Sequence, residues 1–287
     1  MSLVQPPSEQ AIESLVLKAV PNCSPRVIFG IINIYKELKL HSGDQGVILL
    51  EHFIKNYNFI SQNAYFDYIK DISLYLFQHY DFEKTLLCAS SADNCADSGQ
   101  TVLNDIRSIL GINHKISKIN SCTRADKAIR HIKDKKLNIN TIVIVDEFVG
   151  TGQSMLGRIN KINIDCDQSK IAPKVIDIIV IAGLNSALRR LSCKANKVIA
   201  CVTLKHGIRD IFPIQEHSRH YLSVNNHEDN LIQVFNNEPL PKHGYGFAEA
   251  LYGREFGNCP NSVFPMFWWP QDIHGNERST PFSRVES

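Results

Sequence analysis

One stretch of the chain, residues 141–155, combines residue types that could bind a sugar phosphate. It starts with an apolar run at residues 141–145 and continues with the adjacent acids Asp146 and Glu147. The residues that then open a helix are small or polar: Gly150, Thr151, Gly152, Gln153 and Ser154. Small residues let backbone N–H groups approach a phosphate, hydroxyls are further donors, and a helix N-terminus adds a favourable dipole.

The two adjacent carboxylates indicate a sugar beside that phosphate. Asp146 and Glu147 would repel a phosphate placed directly against them, because like charges at short distance disfavour binding. Carboxylates accept hydrogen bonds from ribose hydroxyls instead. We therefore predict a ribose between the two acids and the loop, with its phosphate on the loop.

Three other kinds of site do not fit this stretch. A P-loop ATPase using Asp146 and Glu147 as Walker B acids also needs a Gly-Lys-Ser/Thr loop, and the chain has no Gly-Lys dipeptide. A nucleophile elbow on Ser154 needs glycine where Leu156 stands. A dinucleotide fingerprint has another glycine spacing, and its acid follows the glycines. An incidental strand-to-helix turn stays the alternative interpretation.

Alternating strand-like and helix-like runs are expected to position this stretch. Apolar runs of strand length lie at residues 85–89, 115–119, 141–145, 175–182 and 197–202. Helical patterns separate them at residues 101–110, 124–133, 154–162 and 185–191. This order predicts an α/β fold, a parallel sheet of about five strands with helices on both faces. Right-handed crossovers then bring the carboxyl ends of the strands to one edge, where ligands bind.

The two ends of the chain have different patterns. Residues 1–80 are predicted to form a helical layer, with helices starting at Ser24-Pro25, at Asp44 and at Ser61 or Asn63. Residues 81–213 are predicted to form the α/β core. Residues 214–287 are polar and rich in turns, proline and aromatic residues, and residues 276–287 are expected to be a loose tail.

Composition excludes several classes of protein. The 287 residues carry 31 basic and 29 acidic side chains, a net charge of +2, so bulk charge does not indicate nucleic-acid binding. No apolar run approaches membrane length and the N-terminus has no signal pattern, so we predict a cytoplasmic protein without a membrane partner. The eight cysteines form no Cys-x-x-Cys pair, and no protein-bound metal is predicted at His217, His220 and His227.

The segment Val145-Asp-Glu-Phe-Val-Gly-Thr-Gly-Gln-Ser154 resembles the phosphoribosyl pyrophosphate loop of type I phosphoribosyltransferases. In that family an apolar strand, two acids, three variable residues and Thr-Gly-x-Thr/Ser follow one another. The resemblance implies that Asp146 and Glu147 hold the ribose hydroxyls while residues 150–154 bind the 5′-phosphate. It also implies phosphoribosyl pyrophosphate as substrate and Mg²⁺ as cofactor.

Family members also bind pyrophosphate on a loop after the first core strand, which here is residues 90–99. Ser98 and Gly99 could supply hydroxyl and backbone donors, but the usual base is missing and Asp93 and Asp97 are present instead. A basic catalytic residue normally comes from a loop further along the chain. Its candidates are Lys115, Lys118 and Arg124, of which Arg124 is our choice.

The C-terminal part narrows the resemblance. Gly244-Tyr-Gly-Phe and the segment from Asn258 to Trp268 are similar to a phosphoribosyltransferase-like group of bacterial conflict systems, some encoded beside retron reverse transcriptases. This similarity implies an anti-phage effector whose partner is a reverse transcriptase with its RNA or DNA. It also implies that residues 214–287 act as a hood over the substrate.

Three further functions stay open from the sequence. The chain could be a non-catalytic sensor of a ribose phosphate or nucleotide, a nucleotide-salvage enzyme, or an enzyme that cleaves a nucleotide's N-glycosidic bond. The acceptor of the phosphoribosyl group and the oligomeric state, including a homo-oligomer, stay open as well.

Overall fold

The computed structural model describes residues 5–20, 23–91 and 98–285. Its helices and strands in chain order are α1 Glu9–Ala19, α2 Pro25–Asn56, β1 Asn58–Ile60, α3 Gln62–His79, β2 Thr85–Ala89, α4 Ser98–Asn113, β3 Ser121–Cys122, α5 Ala128–Asp134, β4 Thr141–Val149, α6 Gln153–Gln168, β5 Val175–Leu184, α7 Asn185–Ser192, β6 Lys197–Leu204, α8 Ile214–Glu228, β7 Val234–Phe235, β8 Glu238–Pro239 and β9 Tyr252–Arg254.

The chain divides into two compact units. The sheet unit comprises Gln62–Thr203, and the terminal unit combines Met1–Ser61 with Leu204–Glu286. These boundaries differ from the predicted regions 1–80, 81–213 and 214–287, because α3 packs within the sheet unit and both ends of the chain build the other unit.

The sheet unit contains a five-stranded parallel sheet in the order β3-β2-β4-β5-β6, flanked by helices. In β2 every residue is buried, and in β5 every residue except Val175. Such continuous apolar strands are typical of a parallel sheet that is covered on both faces. The predicted α/β class is confirmed.

One predicted strand is wrong. Residues 115–119 do not form a strand: Lys115 has φ 54°, in the left-handed region, and the pairing with β2 begins only at Ser121. The other four predicted strands are present, and three of them are longer than expected. β4 continues to Val149, β5 to Leu184 instead of residue 182, and β6 to Leu204.

Helix α3 is tied to the sheet unit by buried polar groups. Its residue Tyr65 donates from the phenol oxygen to Asp105 Oδ2 of α4 at 2.7 Å. Tyr80, just after α3, donates to Asp177 Oδ2 of β5 at 2.7 Å. A buried carboxylate such as Asp177 requires such donors, so α3 lies with the sheet although the sequence pattern places it with the N-terminal helices.

The terminal unit is built around α2, which packs against α1 and α8. Gly43 interrupts α2 with φ 60° and ψ −145°, so a new straight segment begins at Asp44 as predicted. The interpretation of residues 214–228 as turn-rich is wrong, because they form α8. Its buried face has helical spacing but mostly polar residues, which hides the apolar periodicity: His220, Ser223, Val224, His227 and Glu228.

The expectation of a loose C-terminal tail is also wrong as far as residue 285. Arg26 of α2 donates to the carbonyl oxygens of Thr280 and Phe282 at 3.2 and 3.4 Å. The ring of Phe282 stacks on Tyr57, with centroids 5.4 Å apart. Strand β1 pairs with β9 in the same unit, so residues near both ends of the chain share one core. Within the described ranges, every helix is too short or too polar to cross a lipid bilayer.

Candidate active site

Three segments of the sheet unit converge on the carboxylate of Asp146 in β4. Ser90, the residue after β2, donates from Oγ to Asp146 Oδ2 at 2.5 Å. Ser98, the first residue of α4, donates from Oγ to Asp146 Oδ1 at 3.2 Å, and the backbone N–H of Glu147 reaches the same oxygen at 2.7 Å. Because β2 and β4 are parallel neighbours, their carboxyl ends lie at the same edge of the sheet, as predicted from the strand order.

The two acids of the motif belong to a continuing strand. β4 pairs with β5 in unbroken register through Asp146 and Phe148 to Val149. Successive residues of a strand point to opposite faces, so the side chains of Asp146 and Glu147 lie on opposite faces of β4. Asp146 is half-buried among serine hydroxyls, whereas Glu147 is only 2% exposed. A ribose contact by Glu147 therefore stays a prediction.

The loop after β4 is short and ends in a left-handed glycine. Gly152 caps α6 with φ 73° and ψ 2°. A Cβ at this position would lie 3.4 Å from Cβ of Ala187 and would strain the backbone. The hydroxyl of Thr151 accepts a hydrogen bond from the N–H of Gln153 at 3.3 Å. Gly150, at the start of the loop, is buried.

The first turn of α6 has donors to offer to an anion. Gln153 and Ser154 are exposed, and the N–H groups of Ser154 and Met155 have no acceptor in the part of the chain that the structure describes. No acidic side chain lies in the first turn of α6, so the positive end of the helix dipole is not compensated. Residues 150–154 therefore have the geometry and charge to hold a phosphate.

The predicted pyrophosphate segment is described only at its two ends. Asp93 and Asp97 lie outside the described residues, whereas Ser98 and Gly99 form the start of α4, whose first turn contains no acid. Gly99 is buried, and the hydroxyl of Ser98 is bound to Asp146. Binding of pyrophosphate by these two residues stays a prediction.

Arg124 precedes the 3₁₀ turn Ala125–Lys127 that follows β3, and it holds Asp126 with two hydrogen bonds. Its Nε lies 3.0 Å from Oδ1 and its Nη2 lies 2.8 Å from Oδ2. Burial acts to raise the pKa of Asp126, but the hydrogen bonds and charge of Arg124, with help from Lys127 and Arg158, lower it. A catalytic role for Arg124 stays a prediction. Lys115 and Lys118 lie exposed before β3.

Two residues of this edge were missed as site residues. Ser90 supplies the shortest hydrogen bond to Asp146, and Arg158 donates from Nε to the carbonyl oxygen of Ser90 at 2.9 Å. Arg158 stands four residues after Ser154, and this spacing puts both on one face of α6. That spacing was the available signal, whereas nothing in the sequence indicates the contact of Ser90 with Asp146.

The oxygen atoms at this edge suit Mg²⁺. Magnesium is usually held by one or two carboxylates together with water and substrate phosphates. Within residues 5–20, 23–91 and 98–285, no group of three His, Cys, Asp or Glu side chains could hold a metal by itself. The half-buried carboxylate of Asp146, surrounded by the hydroxyls of Ser90 and Ser98, fits a metal that the substrate helps to bind.

Solved structures of two phosphoribosyltransferases are similar to part of the chain. The Helicobacter pylori xanthine-guanine-hypoxanthine phosphoribosyltransferase is 13% identical with a TM-score of 0.32, over 52% of this chain and 90% of that one. The orotate phosphoribosyltransferase of Aeropyrum pernix is 11% identical with a TM-score of 0.29, over 50% of this chain and 72% of that one.

Comparison with curated protein sequences gives no match. A family model, PRTase-CE, matches residues 41–282, which include the edge around Asp146 and most of both compact units. The chain therefore belongs to the PRTase-CE family, a phosphoribosyltransferase-like family.

Proposed function

We propose that this chain binds phosphoribosyl pyrophosphate at the carboxyl edge of its sheet and transfers the phosphoribosyl group. One observation carries the proposal: the exposed first turn of α6, where the N–H groups of Ser154 and Met155 have no acceptor among the described residues, follows the strand that bears Asp146 after a short loop. A 5′-phosphate on those N–H groups places the attached ribose at the acid. One sugar phosphate would therefore contact the N–H groups through its phosphate and Asp146 through its ribose.

In the proposed reaction the bond between C1′ and the pyrophosphate oxygen breaks, and an acceptor forms a bond to C1′. The transition state has oxocarbenium character, so positioning and electrostatics matter more than covalent help from the protein. The contact of Ser98 with Asp146 is the longer of the two serine contacts, 3.2 against 2.5 Å. A ribose hydroxyl would displace it first, which would release the Ser98 hydroxyl towards the pyrophosphate.

Asp146 would hold the proposed Mg²⁺ together with oxygen atoms of the substrate. When bound, the metal would neutralise charge on the leaving pyrophosphate. Arg124 is proposed as a further basic residue, which would first have to exchange its contacts to Asp126.

We further propose that the biological role is that of an effector in anti-phage defence of the retron type, with a reverse transcriptase and its RNA or DNA as partner. The support is the similarity of residues 244–268 to a conflict-system group. The proposed role of residues 214–287 is to cover the acceptor. A base, a nucleotide, a nucleic-acid end and water are the acceptor classes to be compared.

The first experiment is incubation of the purified chain with labelled phosphoribosyl pyrophosphate, Mg²⁺ and either total nucleotides or RNA. Pyrophosphate release is expected with the wild type and not with the double variant Asp146→Asn, Glu147→Gln. The control is Asp134→Asn, which removes an exposed carboxylate paired with Arg130 on α5 and should keep full turnover. Equal turnover in the double variant would refute the proposal.

A sensor without catalytic activity is the second candidate, favoured by the lack of a base in residues 90–99. Calorimetry separates it from an enzyme, since a sensor would bind phosphoribosyl pyrophosphate and release no pyrophosphate over hours. A salvage enzyme would consume one free base together with phosphoribosyl pyrophosphate. A nucleotide-cleaving enzyme would liberate free base without phosphoribosyl pyrophosphate.

A further inference from the structure

We infer that Arg158 binds the pyrophosphate group of the substrate and replaces the basic residue that residues 90–99 lack. The inference rests on the proposed function and deepens it, since it assigns a second anionic subsite to the same edge. Three observations support it: the hydrogen bond that holds the guanidinium of Arg158, the N–H donors of that group that have no acceptor among the described residues, and the charges of the neighbouring residues.

The guanidinium of Arg158 is fixed at one end. Its Nε donates to the carbonyl oxygen of Ser90 at 2.9 Å, and the side chain is half-buried. Side chains of a helix tilt towards its N-terminus, so Arg158 extends from the second turn of α6 back to the edge where α6 begins. Ser90 in turn donates to Asp146, so the guanidinium lies one residue from the carboxylate that would bind the ribose.

The other end of the guanidinium is available. Among the described residues, Nη1 and Nη2 of Arg158 have no hydrogen-bond acceptor and no carboxylate within ion-pair distance. An arginine has five N–H donors in a planar fork that matches phosphate oxygens. A half-buried fork with one donor engaged is therefore ready to bind an anion from solution.

One acid close to Arg158, Asp126, is already paired with another arginine. Asp126 is close enough for the charge of Arg158 to help lower its pKa. However, both oxygens of Asp126 are already held by Arg124, at 3.0 and 2.8 Å. Arg124 therefore balances the charge of Asp126, and no carboxylate of the described residues forms an ion pair with Arg158.

The position of Arg158 favours the pyrophosphate over the 5′-phosphate. Its anchor, Ser90, begins the segment that the resemblance assigns to pyrophosphate, and Ser98 lies near the end of that segment. The 5′-phosphate has its own donors in residues 150–154 and in the first turn of α6. Arg158 therefore supplies positive charge on the β2 side of Asp146, where residues 90–99 contain no basic residue.

The experiment measures binding of three ligands to the full-length chain with Mg²⁺ by calorimetry: phosphoribosyl pyrophosphate, inorganic pyrophosphate and ribose 5-phosphate. In Arg158→Gln we expect affinity for the first two to fall by about 10- to 100-fold, the loss of charge-assisted hydrogen bonds. Ribose 5-phosphate should bind within about twofold of wild type. Arg158→Lys keeps the charge and should recover part of the loss.

The control variant is Arg130→Gln, an exposed arginine on α5 paired with Asp134, which should bind all three ligands as wild type does. Thermal melting checks that the variants fold. If Arg158→Gln does not fold, the binding data for Arg158→Lys alone test the inference. An equal loss for all three ligands, or a loss confined to ribose 5-phosphate, would overturn the inference. So would unchanged binding in Arg158→Gln, which leaves the proposed function standing, whereas a wild type that binds neither sugar phosphate refutes both.

Discussion

At the scale of single residues, the loop after β4 depends on one backbone conformation. Gly152 adopts φ 73° so that the chain can turn from the strand into α6 within three residues. Gly157 lies five residues further on the same helix, in ordinary helical geometry, and a Cβ there would meet no atom within 4 Å. The two glycines form a matched pair for testing the turn.

We expect Gly152→Ala to destabilise the chain by about 1–2 kcal/mol, because a left-handed conformation is costly for residues with a Cβ. It should also weaken binding of sugar phosphates, since the turn aims the first N–H groups of α6. Gly157→Ala should instead stabilise the chain by about 0.5–1 kcal/mol through helix propensity. Urea denaturation of both variants is the measurement, and a stabilising Gly152→Ala would contradict the role of the turn.

The sequence indicated most of the candidate site residues but not how they meet. Asp146, Ser98 and residues 150–154 follow from residue types and spacing, because strand ends and helix starts have local signals. The contact between Ser90 and Asp146 depends on the pairing of β2 with β4, which only the folded sheet determines. The opposite orientation of Asp146 and Glu147 was missed because β4 was expected to end at Val145.

At the scale of elements, α8 ends in a buried acid. Glu228 is its last residue, is fully buried, and accepts hydrogen bonds from the N–H of His243 at 3.0 and 3.1 Å. Burial raises the pKa of Glu228 to about 8, although the N–H of His243 and the charge of Lys242 act against the rise. The side chain is therefore mostly neutral at pH 7 in the folded chain.

This raised pKa predicts how stability depends on pH. Glu228 ionises near pH 4.5 when unfolded and near pH 8 when folded. The free energy of unfolding therefore falls by about 1.4 kcal/mol for each pH unit as pH rises through that interval. Glu228→Gln removes this penalty. Its melting temperature relative to wild type should therefore rise steadily from pH 5 to pH 8, as measured by calorimetry.

The control is Glu238→Gln, which makes the same side-chain change at an exposed position in β8. A difference in melting temperature between Glu228→Gln and wild type that stays constant or shrinks as pH rises would contradict the assignment.

Helix α8 also shows where sequence patterns fail. Because the buried face of α8 carries His220, His227 and Glu228, hydrophobic periodicity could not identify the helix, whereas the apolar strands β4 and β5 were identified readily.

At the scale of the whole molecule, one ion cluster joins distant parts of the chain within the terminal unit. Glu37 of α2 accepts from Arg278 at 2.9 and 2.6 Å and lies 2.8 Å from Nε2 of His227 in α8. Burial acts to raise the pKa of Glu37, but His227 and Arg278 together lower it to about 2. The side chain of Arg278 is only 3% exposed.

We expect Arg278→Gln to reduce the stability of the terminal unit by about 3–5 kcal/mol, because it leaves the carboxylate of Glu37 without its buried arginine. The pair contributes fully above about pH 4.5 and less as pH falls towards 2, so the loss should be smaller at pH 3.5 than at pH 7. Thermal melting at the two pH values is the measurement. Arg219→Gln, in an exposed pair with Glu216, should cost less than about 1 kcal/mol, and equal losses in both variants would contradict the prediction.

The split of the terminal unit between both ends of the chain has a consequence for biosynthesis. A ribosome that has released α2 must add roughly 200 further residues before Arg278 emerges, which takes on the order of 10–40 s. When the last residue of the sheet unit has been made, α8 and the C-terminal segments that pack on α2 have not yet been synthesised. A chain that stops early therefore carries a finished sheet sequence beside an uncovered helix, a pattern that chaperones and proteases recognise.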